Sequence, residues 1–285
     1  MQHSTNAKSQ QGDCAVNPRG IIMLRGKVSI LCATLTLVLT IAANAKDIHM
    51  VGPIIPPHFD EQGRGRIGDV IKATLALCGH DVRFTMVPFG RHWKEYRDTS
   101  NIDGLATAEA DQTFPGFSTL PFMHLQDGAT VMAAKGLQSI KTVAELHGKR
   151  VVAFPNARKI LGIQGSIGTF ASYAERSNRF DQLRPLFADR VDAVLADGLI
   201  TAHFIGVLRD NAGAGREPEI DLSRQPAFRK IFGEGPQRLY FRDASVANGF
   251  DRCFKQLLSE GDVERLVRPY MEKYRSIVGD QYPSY

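Results

Sequence analysis

The chain has 285 residues, with 35 Lys and Arg against 30 Asp and Glu and 43% hydrophobic residues. Residues 1–45 carry Lys8, Arg19, Arg25 and Lys27 against Asp13, so without that stretch the formal net charge falls from +5 to +2. A near-neutral surface gives no reason to expect nucleic-acid binding.

The first segment reads as an export signal. Met23-Leu24-Arg25-Gly26-Lys27 is a basic start, Val28 to Ile41 is an apolar run, and Ala42-Ala43-Asn44-Ala45 is a small-x-small ending. These are the three parts of a secretory leader, and cleavage is expected before Lys46. The run of about 14 residues is shorter than the ~20 needed to span a bilayer. Residues 1–22 are polar and aperiodic, as expected of an upstream start codon or a disordered leader. No later apolar run approaches spanning length, so the mature chain is expected to be soluble and exported.

About 240 residues then remain, long for one lobe and comfortable for two. Ile48 to Val51 reads as a strand stopped by Pro53, Pro56 and Pro57. Ile67, Val70, Ile71, Thr74, Leu75 and Leu77 recur at helical spacing before Gly79, which is a stop signal. Strands are expected at Val82 to Val87, Ile102 to Ala106 and Thr130 to Ala134, with a short helix from Arg91 to Tyr96. Lys135-Gly136 reads as a crossing point between lobes. Thr142 and Glu145 have capping-box spacing before a short helix, and Arg150 to Phe154 reads as a buried strand. Helical stretches are expected at Gly168 to Arg176, Phe180 to Ala188 and Leu199 to Leu208, with a strand at Val191 to Ala196. Asn211 to Gln225 reads as a loop, Phe228 to Phe232 and Arg238 to Phe241 as strands, and Ser245 to Leu258 and Asp262 to Tyr274 as helices. Alternating strands and helices imply an α/β fold.

Beyond the leader, the cysteines are Cys78 and Cys253. An oxidising compartment permits a bridge, but sequence does not place their Cα atoms. The histidines are scattered, so neither a metal nor a cofactor is expected. Gly63-Arg64-Gly65-Arg66-Ile67-Gly68 spells a dinucleotide fingerprint, but prolines separate it from the preceding strand that such a motif requires. It is read as a mobile basic loop.

Six segments in order resemble the type II periplasmic substrate-binding proteins of ABC importers, above all the polar amino acid group. They are Ile55-Pro56-Pro57-His58-Phe59, Gly68 to Gly79, Ile102-Asp103-Gly104-Leu105, Phe117 to Phe122, Leu146 to Val151 and Arg190 to Asp197. The resemblance implies two lobes, each an open mixed sheet flanked by helices, joined by two hinge strands. The first lobe would take residues 46–130 and 235–285, the second 131–234. It also implies a periplasmic, non-enzymatic monomer that hands a small polar solute to an inner-membrane ABC permease. Some relatives of this fold are cyclohexadienyl dehydratases, for which Glu109 is the one obvious acid or base. A soluble sensor for a receptor kinase would use the same cleft.

Ligands of open α/β sheets sit outside the carboxyl ends of the strands. On that rule Phe59 either stacks on the ligand or belongs to the core. Arg91 either grips a carboxylate through paired bonds or is solvated, and Trp93 either floors the cleft or is packed. Thr107 offers a hydroxyl. Asn156 and Arg158 open a helix whose free N–H groups suit an anion. Asp197 matches the family's ammonium-binding aspartate, and also suits a helix N-cap. The resembling family carries Thr-x-x-Arg where this chain has Thr107-Ala108-Glu109-Ala110. The arginine that would clamp an α-carboxylate is therefore absent from its usual place.

Overall fold

The computed structural model describes residues 47–109, 111–133, 136–217 and 220–285. The leader with its cleavage point, Ala110 and the crossing residue Lys135 lie outside them.

A buried strand, β1 (Asp47–Ile54), starts the first sheet. It is followed by α1 (Arg66–Leu77), the edge strand β2 (Asp81–Pro88), α2 (Arg91–Asp98) and β3 (Gly104–Glu109). β1 pairs in parallel with β2 on one side and β3 on the other. The burial pattern reports position: β2 alternates between exposed and half-buried as an edge strand does, whereas β3 is buried nearly throughout. Two short strands, β4 (Phe117–Ser118) and β5 (Met123–Leu125), complete this first pass along the sheet.

The second sheet is built from β6 (Asp127–Met132), β7 (Arg150–Ala153), β8 (Ser172–Glu175), β9 (Ala193–Asp197) and β10 (Pro226–Arg229), in the order β10-β6-β9-β7-β8. Its helices are α3 (Ala157–Ile160), α4 (Arg179–Phe187) and α5 (Gly198–Gly213). The chain then returns to the first sheet as β11 (Gly235–Phe241), antiparallel to β3, and ends in α6 (Ala244–Ser259) and α7 (Asp262–Val278). The fold is therefore the expected two-lobed α/β architecture, with two mixed sheets flanked by helices.

Several boundaries differ from the sequence expectation, each for a physical reason. Asp127 to Thr130 was expected in the first lobe, but β6 pairs along Asp127–Val131 with β9. The change of sheet falls at Gln126. Gly168 to Arg176 was expected to be helical; Ser172 to Glu175 instead forms β8, because a parallel partner, β7, lies beside it. Residues 235–285 were expected in the first lobe alone, yet α7 packs on α1 and α6 of the first lobe and on α5 and β10 of the second. Tyr274, Ile277, Val278 and Tyr282 belong to the second lobe's apolar core. The supposed basic loop also has structure. Arg64 pairs with Asp60 at 2.8 Å, and Arg66 is completely buried. Gly65 is required there: at φ +139 a Cβ would lie 2.5 Å from the carbonyl oxygens of Pro57 and His58.

The Thr142–Glu145 capping box is present, and Cys78 is joined to Cys253 across a sequence separation of 175 residues. That bond staples the end of α1 to α6. Replacing both cysteines by serine should lower unfolding stability by about 2–4 kcal/mol in denaturant titrations. The unfolded, unreduced protein should yield no free thiol from this pair.

Candidate ligand-binding cleft

Between the two sheets lies a cleft of about 740 Å³. Its walls are the residues that follow the parallel strands. Ile54, Ile55 and Pro56 come from the end of β1, and Pro88, Phe89 and Gly90 from the end of β2. Phe154, Pro155 and Asn156 follow β7, and Ser177 and Arg179 follow β8. A smaller recess of about 40 Å³ adds Glu109 from the end of β3, Asp127 from the start of β6, and Asp197 from the end of β9. Both sheets thus point their carboxyl ends at one space, the position the α/β rule requires.

The walls are mainly apolar. Phe89 and Trp93 meet edge to face at 5.2 Å on the first lobe, and Phe154 and Phe204 stand on the second. Trp93 is held by its Nε1–H, which donates to the Thr107 carbonyl at 3.0 Å, while His92 Nε2 lies 3.3 Å from the same oxygen. Thr107 has φ 60, an uncommon conformation for a β-branched residue. Its buried hydroxyl lies 3.5 Å from His92 Nε2 and takes no part in the cleft lining. Burial outweighs the Thr107 carbonyl and lowers His92 to about 3, so the ring is neutral. Thr107 therefore shapes the wall through its backbone.

The other residues singled out from sequence divide sharply. Phe59 is fully buried in the first lobe's core, edge to face with Phe84. Arg91 and Arg158 are exposed, and neither lines the cleft. Asn156 lines it, with φ 62. The helix start at Asn156–Arg158 already holds an anion: the Glu175 carboxylate accepts from Asn156 N at 2.8 Å and Arg158 N at 3.0 Å. Tyr173 donates to it as well, at 2.8 Å. Burial alone would raise the Glu175 carboxyl; these donors overcome it and hold the group low.

Asp197 is 4% exposed, and protein donors surround it. Its Oδ1 accepts from Ile200 N at 2.9 Å, capping α5, and from His58 Nε2 at 3.2 Å. Its Oδ2 accepts from Gln126 N at 3.1 Å and Tyr282 Oη at 2.5 Å. A carboxylate has about four acceptor positions, and all are taken. Burial opposes ionisation, but His58, Tyr282 and Ile200 outweigh it and keep the carboxyl low.

The cleft also holds ionisable groups that sequence patterning passed over or assigned elsewhere. Arg179 opens α4 with its guanidinium carbon 6.0 Å from the Phe154 ring centre and one contact of 3.4 Å to Gln182 Oε1. Desolvation lowers its pKa against the pull of Asp127 and Asp197. Among the described residues it forms no ion pair. Asp127 is half-buried; desolvation, then Asp197 and Glu109, push its carboxyl up to about 8 despite Arg179. Glu109 is raised by burial and by Asp111. Arg179 escaped notice because Gly168–Arg176 reads as helix, which hides the strand end that precedes it. Asp127 escaped because the strand was expected to begin at Thr130.

Two lobes, two crossings between sheets and a cleft at the strands' carboxyl ends define the type II periplasmic binding protein fold. Solved structures bear this out. An arginine transport-system periplasmic binding protein from Legionella pneumophila matches at TM-score 0.59 and 14% identity, over 79% of this chain and 100% of its own. A histidine kinase sensor domain similar to periplasmic binding proteins matches at TM-score 0.60 and 14% identity, over 79% and 96%. An ancestral amino acid-binding protein described as a precursor of cyclohexadienyl dehydratase matches at 0.57 and 14%, over 79% and 95%. No protein-family model and no curated protein matches the chain. Among the described residues no helix is long and apolar enough to cross a membrane, and no cluster of side chains suits a metal ion.

Asp197→Asn should therefore act first on stability. Leaving His58 and Tyr282 with an imperfect partner in a buried site should cost about 3 kcal/mol in urea titrations without ligand. Stability unchanged by the substitution would remove Asp197 from this structural role.

Proposed function

We propose that the chain is an exported solute receptor that captures a small, net-cationic, amino-acid-like ligand between its lobes and delivers it to an ABC importer. One observation carries this reading. Three ionisable side chains, Glu109, Asp127 and Arg179, which form no ion pair among the described residues, face one aromatic-walled cleft from both sides of the hinge. A ligand with two positive groups and one carboxylate would match all three. Arg179 would take the carboxylate, replacing the arginine absent at Ala110, while Glu109 and Asp127 would take the cationic groups. Phe89, Trp93 and Phe154 would cover the apolar stem. The arginine transport protein among the similar structures supports this ligand class, and the kinase sensor domain shares the same fold. Contacts from both lobes are complete only when the cleft is closed, so ligand binding would favour closure.

A thermal-shift screen of L-arginine, L-lysine, agmatine and L-glutamate tests the ligand class, since binding at 100 times Kd stabilises the native state by about 2.7 kcal/mol. L-Arginine or L-lysine should shift the transition most and L-glutamate least; a larger shift with L-glutamate would overturn the assignment. Arg179→Gln should weaken binding by roughly 10- to 100-fold, the loss of about 1.5–3 kcal/mol from charge-assisted bonds. Arg91→Ala, which changes an exposed side chain, should leave affinity within about twofold.

The raised Asp127 sets a pH dependence. Near neutral pH this carboxyl is largely protonated in the empty cleft, and a bound cation favours its ionised form. Binding should then release a proton, and affinity should rise with pH up to about 8, by at most tenfold per unit. Calorimetry in buffers of different ionisation enthalpy reads that proton directly. Asp127→Asn should abolish the slope.

Raised carboxyls would also suit proton-transfer chemistry, which favours a dehydratase as the second reading. Incubation with prephenate or arogenate separates the two, because only the enzyme yields an aromatic product.

A further inference from the structure

The segment after α7 does more than finish the fold. Tyr282 is 6% exposed, and its hydroxyl stands between the lobes. From the first lobe comes His58, with Nε2 3.3 Å from the tyrosine oxygen; from the second comes Asp197, which accepts the tyrosine proton at 2.5 Å. Fully buried Arg66 locks the same segment in place. Its Nη2 donates to the carbonyls of Pro283 at 3.0 Å and Ser284 at 3.1 Å, and its Nη1 to His124 O at 3.0 Å. Its guanidinium carbon lies 5.2 Å from the Tyr282 ring centre.

This segment also reaches both crossings between the sheets. At the first, Gln126 N donates to the same Asp197 oxygen that accepts from Tyr282, and His124 Nδ1 lies 3.1 Å from the Tyr285 carbonyl oxygen. At the second, Lys230 N donates to Gln281 Oε1 at 2.8 Å. Gln126 Nε2 completes the link by donating to Phe232 O at 3.1 Å. Rotation of one lobe against the other has to act on these bonds, because His58 moves with the first sheet and Asp197 with the second.

We infer that residues 279–285 form a hinge latch, in which Tyr282, clasped by His58, Asp197 and Arg66, holds the two lobes at a defined angle and restricts their opening. The inference is independent of which solute the cleft takes. The cluster is neutral overall once Arg66 balances Asp197, so its grip comes from buried hydrogen bonds. Such bonds leave costly unpaired groups behind when they break. Asp197 also lines the inner recess of the cleft, so the latch touches the ligand chamber without occupying it.

Inter-lobe distances test this. Spin labels at Asp98→Cys on α2 and Asp181→Cys on α4, both 54% exposed as the native residues, report the angle by pulsed dipolar spectroscopy, with Cys14 and Cys32 replaced by serine. The native sequence should give one narrow distance distribution without ligand. Tyr282→Phe removes only the hydroxyl and should broaden the distribution, roughly doubling its width, and Tyr282→Ala should broaden it further. Leu257→Ala, a core truncation in the first lobe, should lower thermal stability with no change in width. Should Tyr282→Ala fail to fold, Tyr282→Phe decides alone. An unchanged width in folded Tyr282→Phe, or equal broadening in Leu257→Ala, overturns the latch.

Discussion

The ionised carboxylate of Asp197 has to be kept out of water at the junction of two sheets, and much of the architecture around it answers that requirement. A buried charge is stable only when its acceptor positions are filled and a counter-charge is near. Ile200 supplies a helix N-terminus from the second lobe, His58 a ring N–H from the first, Gln126 a backbone N–H from the crossing strand, and Tyr282 a hydroxyl from the segment after α7. Arg66 supplies the positive charge. The same environment settles the state of its neighbours: burial first, and then Arg66, hold His58 below its usual pKa, while Asp197 alone pulls the other way. Burial and the Asp197 charge push Tyr282 well above its usual value. The aspartate is ionised, and the histidine and tyrosine are neutral donors.

This arrangement separates structural charge from charge directed at the cleft. Asp197 and Glu175 sit where helix starts offer N–H groups, and each is consumed by the protein itself. Asp60, at the mouth of the cleft, is tied to Arg64. Exposed Glu61 at the mouth and Glu109, Asp127 and Arg179 deeper in form no ion pair among the described residues, and burial raises the carboxyls of Glu109 and Asp127. On the proposed reading, these carboxyls in a largely apolar chamber would favour a positively charged guest. Aromatic rings on both lobes can cover its uncharged part.

Much of the fold was legible because local rules and tertiary context agree. The apolar spacing of Ile67, Val70, Ile71 and Leu75 predicted α1, and those four side chains are fully buried. Thr142 and Glu145 form the capping box their spacing suggested. Strand Val191 to Ala196 was visible from its apolar run, and so was an N-cap role for Asp197, because capping depends on residues only a few positions apart. Misreadings cluster where a distant partner decides. Ser172 to Glu175 becomes a strand only because β7 lies alongside, and β6 begins at Asp127 only because β9 offers a ladder that far.

Sequence by itself determined the alternation of strands and helices, the two-lobed class, the helix starts, and which arginine the resembling family would have used and this chain lacks. The alternation and the helix starts follow from residue periodicity and neighbouring side chains; the two-lobed class and the missing arginine follow from the family resemblance. Tertiary structure alone decided which charges remain free. The backbone N–H groups of Asn156 and Arg158 went to Glu175, and the Asp197 carboxylate to His58 and Tyr282, residues from 17 to 139 positions away. Arg179 and Asp127 gained theirs because two sheets bring their strand ends to a common gap. Hydrogen bonding and desolvation depend on distance in space, and no local pattern encodes that distance.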